Sequence, residues 1–169
     1  MIFFETAQSY EYPGGCLMII GVGFLLFSIV DGIPKLFVLR ELKSKPEIYK
    51  KEGMLSFPLE TYQEIDGNYT NTIIRLLKEE IGISLEQASI GKIISKKFSL
   101  IPGRSDIVTV YGYGFFHGNP AAYLCPSDDD ITFAGWYTCE DLLNYPLIRV
   151  ETAPILRHFL KKHAREILG

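Results

Sequence analysis

The sequence predicts a single α/β domain over residues 1–169, with residues 1–15 as an N-terminal extension. Three observations predict it. Residues 16–30 and 35–42 are apolar runs separated by Asp31-Gly32, a strong hairpin signal. Residues 70–81 repeat apolar side chains at helical spacing and stop at Gly82. Segments 90–98, 107–117 and 131–137 are rich in β-branched and aromatic residues and read as strands.

Composition narrows the function classes. Hydrophobic residues make up 47% and charged residues 22%, a balance that excludes wholesale disorder. The net charge is -3, without the basic surplus of a protein that lives on polymeric nucleic acid, so no such partner is expected. Small anionic ligands stay compatible with that charge, because a bound divalent metal supplies positive charge locally. Cys16, Cys125 and Cys139 are odd in number and widely spaced. That pattern argues against a zinc cage or disulfide framework and for a reducing cytoplasm.

Each element follows in order. The extension ends in a Pro13-Gly14-Gly15 turn signal and is expected to pack across the domain edge. Residues 16–30 carry no charge but fall short of the ~20 apolar residues that span a bilayer. The preceding segment has Glu5 and Glu11 and no Lys or Arg, so it lacks the basic region of a signal peptide. The run is therefore expected to be a strand buried on both faces, with no membrane partner. Residues 43–53 form a polar loop with four lysines, read as solvated but able to meet phosphates. A short segment, 54–60, leads to a turn around Asp66-Gly67-Asn68.

Within 70–81, Ile73, Ile74, Leu77 and Ile81 share one helix face. After the three strands, Thr138 with Glu140 and Asp141 resembles an N-cap with acidic first-turn residues, starting a short helix through Leu143. Thr152 is expected to cap the last helix, with Pro154 in its first turn. Arg157, Lys161, Lys162 and Arg165 suit the negative end of that helix dipole.

The chemistry concentrates in Arg75-Leu76-Leu77-Lys78-Glu79-Glu80-Ile81-Gly82-Ile83. At about 100° per residue, Glu79 and Glu80 flank the direction of Leu76. Both carboxylates are thus expected on one side of the helix, with Arg75 one turn earlier bracing Glu79. The C-terminal dipole disfavours each by ~0.3–1 kcal/mol, a cost that a role as hard oxygen ligands for Mg²⁺ would explain.

This segment resembles the second half of the Nudix box, Gly-x5-Glu-x7-Arg-Glu-U-x-Glu-Glu-x-Gly-U, where U is bulky and apolar. Arg75, Leu77, Glu79, Glu80, Gly82 and Ile83 match in register. Residues 36–40, the lysine loop and Leu55-Ser56-Phe57-Pro58 look like the family's strand, loop and approach to the box. Asp129-Asp130-Ile131 through Trp136, then Glu140-Asp141-Leu142-Leu143, look like its acidic turn, Trp strand and short helix. The similarity runs from about Gly21 to Leu160.

The chain also departs from the pattern. Leu76 stands where the family has a glutamate, Leu59-Glu60 replaces Gly-Gly after Pro58, and Gly67 and Thr61 occupy the box's first Glu and Gly.

The resemblance implies an α/β/α sandwich with a mixed β-sheet, and metal-dependent hydrolysis of a nucleoside diphosphate linked to another moiety. By position it implies Glu79 and Glu80 as ligands of Mg²⁺ or Mn²⁺ and Arg75 as their catalytic orienting partner. Glu60, Glu64, Asp66, Asp129 and Asp130 are the candidates for a further carboxylate or general base. Trp136 and the aromatic run 111–116 are either base-stacking surfaces or core. The alternative reading is a nucleotide-binding or regulatory module whose catalysis is impaired at Leu76, either a lost ligand or a core side chain. A homodimer is compatible with both.

Overall fold

The computed structural model describes residues 10–11, 17–122, 124, 126 and 128–169. The rest of the extension, including its Pro-Gly-Gly turn, and also Cys16, Cys125 and Ser127 lie outside the described residues.

The Asp31-Gly32 signal does form a hairpin. β2 (Leu17–Val30) pairs antiparallel with β3 (Ile33–Glu41), Val30 opposite Ile33. Asp31 and Gly32 have φ of 54° and 76°, the two left-handed positions of a tight turn whose twist matches its strands. The other edge of β2 runs parallel to β7 (Ile107–Phe116), which is antiparallel to β6 (Ala88–Ser99). The sheet is therefore mixed. β1 (Tyr10–Glu11) adds a short pairing with β2.

β2 also changes partners along its length. It meets β3 over 27–30 and β5 (Leu59–Thr61) over 21–23. β3 diverges to pair with β8 (Ile131–Tyr137) and with β4 (Leu55–Ser56). Residues 54–60, expected as a connecting segment, thus contribute two short strands.

Strand alternation sorts the core into two layers. From β2, Ile20, Val22, Phe24 and Leu26 join Ile73, Leu76, Leu77 and Ile81 of the first helical segment. Leu25 and Phe27 point the other way, toward Leu142 of α2 (Cys139–Leu143) and Ile155, Leu156 and Phe159 of α3 (Thr152–Lys162). Burial on both faces explains the uncharged run in β2. The result is an α/β/α arrangement. Among the described residues no helix is long and apolar enough to cross a membrane.

The alternating Tyr111-Gly112-Tyr113-Gly114 follows the same logic. Both tyrosines are buried under α3, so the run is core and offers no ring for base stacking. Gly112 faces the first helix, α1 (Tyr69–Leu76), where a Cβ would lie 2.8 Å from Ile73 Cδ1, and a Cβ on Gly114 would meet the Ser89 backbone of β6. Trp136 is partly buried, stacks on Phe116 and donates its indole N–H to the Pro120 carbonyl at 2.9 Å.

The helix expected over 70–81 is present, with one difference. After α1, Leu77–Ile81 forms a wide π-turn, ended by Gly82 at φ 81°. The Gly82 and Ile83 N–H groups close it on the Leu77 carbonyl. Thr138 caps α2 as expected, accepting the Asp141 N–H at 3.0 Å. Thr152 does not cap α3. Glu151 holds the cap position, its carboxylate engaged by Arg149 Nε at 3.4 Å, and Thr152 is already inside the helix and buried. α3 stops at His163, and Arg165 lies in a separate short helix, α4 (Ala164–Leu168).

Candidate functional site

Arg75 projects from the last turn of α1 into a cluster of carboxylates. Its Nη2 donates to Asp66 Oδ2 at 2.9 Å and to the Thr61 carbonyl at 2.7 Å; its Nε reaches Asp66 Oδ1 at 3.3 Å. Nη1 lies 3.3 Å from Glu60 and 3.9 Å from Glu79. The expected brace to Glu79 is thus the loosest contact Arg75 makes, beyond hydrogen-bond distance.

Asp66, one of the candidates for a further carboxylate, is placed against Arg75 by the turn Glu64–Asp66 that ends at Gly67. Burial pushes its carboxyl up. Arg75, the Gln63 N–H and the Thr72 hydroxyl outweigh that and hold it below the usual carboxylate range. Burial raises the Glu60 carboxyl, against the pull of Arg75 and the Thr61 N–H. Glu64 is exposed and takes no part in these contacts.

Glu79 and Glu80 do not share a side. The Glu79 side chain is 50% exposed, at the rim of an open groove of about 1050 Å³ with Asp66, Arg75, Ile74 and Leu85. Glu80 is 3% exposed and faces inward. Adjacent helical residues always diverge, and a π-turn advances each by less than about 100°, which swings Glu79 further from Leu76. Leu76 itself is fully buried in the core.

Glu80 lines a cavity of about 10 Å³ together with Glu41, Lys50 and Arg149. Lys50 Nζ lies 3.5 Å and Arg149 Nη1 3.6 Å from Glu41 Oε1, and Arg149 Nε lies 3.4 Å from Glu151. The side chains of these four residues are 6% exposed or less. Burial, then Arg149, lowers the Lys50 ammonium pKa, and Glu41 opposes the shift. Sequence reasoning missed this group. Lys50 hid among four lysines of a loop expected to be solvated, and Arg149 stood in no pattern.

Asp130 belongs to neither cluster. Lys43 and Lys45 each reach it at 2.7 Å and hold its carboxyl down at about 2. Those lysines are taken by the acidic turn, where the charge of Asp129 adds to that of Asp130 beside Lys43. Among the described residues no group of three or more His, Cys, Asp or Glu side chains is placed to hold a metal ion.

No family model and no curated protein sequence matches the chain. Solved structures do. The Nudix domain of Shewanella oneidensis NrtR, complexed with ADP ribose, superposes with a TM-score of 0.63 at 17% identity, over 90% of this chain and 89% of that one. RenU, a Nudix hydrolase from M. smegmatis, gives 0.66 at 11% identity, covering 94% of each. A C. elegans Ap4A hydrolase gives 0.59 at 18% identity, over 86% of this chain and 98% of that one. The chain has the Nudix fold.

Within the Nudix register, the three carboxylate positions of the helix are occupied by a core leucine, a half-exposed glutamate and a sealed glutamate: Leu76, Glu79 and Glu80. Mg²⁺ is six-coordinate and usually keeps several waters, whereas one water alone needs roughly 10–15 Å³. The cavity of about 10 Å³ at Glu80 holds one water at most. The residues present there do not fit a hydrated divalent cation.

Proposed function

We propose that this protein uses its Nudix fold to bind a nucleoside diphosphate linked to another moiety, as a binding or regulatory module without efficient hydrolysis. One observation carries the reading: Leu76 is buried in the core and Glu80 lines a sealed cavity with Lys50 and Arg149, so of the three box carboxylate positions on the helix Glu79 alone reaches solvent. The ligand class is supported by the fold and by the neighbour that is complexed with ADP ribose. The open groove is of the size that accommodates such a ligand.

A second reading, slow metal-dependent hydrolysis of the same ligand class, is favoured by Glu79, which stands at that groove next to Arg75. In it, Glu79 is the metal ligand that remains and Arg75 its positioning residue.

The test is calorimetric titration with ADP ribose in EDTA and in Mg²⁺, with product formation followed by chromatography. Equal affinity in both and no AMP formed is the expected result. AMP formation that needs Mg²⁺ and is lost in Glu79→Gln establishes the second reading instead. Failure to bind ADP ribose or any other nucleoside diphosphate derivative sinks both.

A further inference from the structure

We propose that the exposed ring of Tyr49, held out by a left-handed backbone, stacks on a nucleobase, and that Lys51 beside it meets the attached phosphate. The inference deepens the ligand reading and rests on it for the kind of ring, but not on what fills the groove at Arg75.

The backbone argues for it. In the loop between β3 and β4, Pro46–Ile48 forms a tight turn closed by Lys45 and Lys50, whose N–H and carbonyl groups pair with each other. Tyr49 ends the turn at φ 56° and ψ 29°. That conformation lets Ile48 face the core and Lys50 turn back to Glu41. The turn itself asks for glycine or asparagine, because a Cβ crowds the following carbonyl there. The other left-handed position of the same loop, residue 53 at φ 89°, is glycine. Among the described residues the one further non-glycine at positive φ is Asp31, a residue type that tolerates it.

Packing does not offset the strain. Tyr49 is 48% exposed, whereas Ile48 beside it is buried with Leu59, Leu100 and Ile107. A large ring held in a disfavoured conformation and left in water is accounted for by a ligand rather than by the core.

The surroundings fit a nucleotide. Tyr49 lines a hollow of about 320 Å³ with Ser44, Pro46, Lys50, Lys51 and Met54. That is the low end of the range for small-ligand pockets. Met54 adds polarisable surface, its Sδ held by the Lys51 N–H at 3.3 Å. The lining has two lysines and no carboxylate. Lys50 is engaged by Glu41, and Lys43 and Lys45 by Asp130. Lys51 is exposed and makes no ion pair among the described residues. An aromatic face beside an available ammonium suits a stacked base that carries a phosphate.

The experiment is calorimetric titration of wild type, Tyr49→Phe, Tyr49→Gly and Lys51→Ala with AMP, adenosine and ADP ribose in EDTA, with Tm measured for each protein alone. Tyr49→Phe keeps the ring and is expected to bind AMP as wild type does. Tyr49→Gly is expected to weaken AMP binding about tenfold or more, the loss of one stacked base. Its Tm is expected to equal or exceed that of wild type, because glycine relieves the backbone. Lys51→Ala is expected to weaken AMP and leave adenosine unchanged.

A Tyr49→Gly protein that binds AMP as well as wild type overturns the proposal. So does one whose Tm falls, since the ring is then a packing residue, and so does a Tyr49→Phe protein as weak as the glycine variant. Unchanged AMP affinity in Lys51→Ala overturns the phosphate contact. Undiminished ADP ribose binding by Tyr49→Gly overturns this inference alone, whereas a wild type that binds neither AMP nor ADP ribose overturns the ligand reading with it.

Discussion

Two charge clusters flank the end of the first helix, and they treat adjacent glutamates in opposite ways. Around Arg75, one guanidinium reaches Glu60, Asp66 and the half-exposed Glu79, and the cluster opens onto a groove. On the other side, Lys50 and Arg149 are shut inside with Glu41 and Glu151, and Glu80 lines the same small cavity as Glu41, Lys50 and Arg149. Water screens the first, so its contacts can loosen individually. The second has no solvent to fall back on, so every charge depends on the others. A pair that reads as one motif in sequence therefore divides between two environments in the fold.

The largest effect is expected from breaking the sealed cluster. Arg149→Met keeps a long stem but leaves Glu41 and Glu151 short of a partner, and should cost about 3–5 kcal/mol in denaturant unfolding. A loss under about 1 kcal/mol would place this cluster with ordinary surface pairs.

Arg75→Gln should cost less, about 1.5–3 kcal/mol, because its cluster borders solvent. It should also change the acid limb. The Asp66 carboxyl is depressed in the fold, so its stabilisation is complete above the ordinary aspartate pKa and is lost as pH falls through the folded value. Wild type should therefore lose stability below about pH 4 more steeply than Arg75→Gln does, read from Tm against pH.

The smallest effect is expected at Asp130, whose partner Lys43 is largely exposed and whose partner Lys45 is partly so. Asp130→Asn should change stability by under about 1 kcal/mol at neutral pH and low salt, and by less at high salt. The wild-type contribution is present above the ordinary aspartate pKa and fades as pH falls toward about 2. A salt-independent loss would mean that this turn is more enclosed than the exposure of Lys43 indicates.

The elements legible in the sequence were those governed by short-range chemistry. Asp31-Gly32 announced the hairpin, Thr138 the start of α2 and Gly82 the stop of the first helix, because turns and caps are decided by a few neighbouring residues. The candidate site was legible only as a list of residues. Ideal helical angles put Glu79 and Glu80 on one side, but the π-turn and the burial of Leu76 set their actual directions. The link from Asp66 to Arg75 was one of several open alternatives until the turn at Gly67 was known. Lys50 and Arg149 could not be found at all, since burial of a lone basic residue depends on strands far away in the chain.

The partner exchange along β2 also bears on how the chain is made. β2 is an uncharged strand of 14 residues near the start of the chain, and its parallel partner β7 belongs to the second half. During synthesis β3 is the first neighbour available after it, and it covers only the 27–30 end. Until β7 leaves the ribosome, the most apolar segment of the nascent protein carries an open edge, the kind of surface that seeds aggregation and recruits chaperones. Translation speed between β3 and β7 should therefore govern soluble yield more than the stability of the finished fold does.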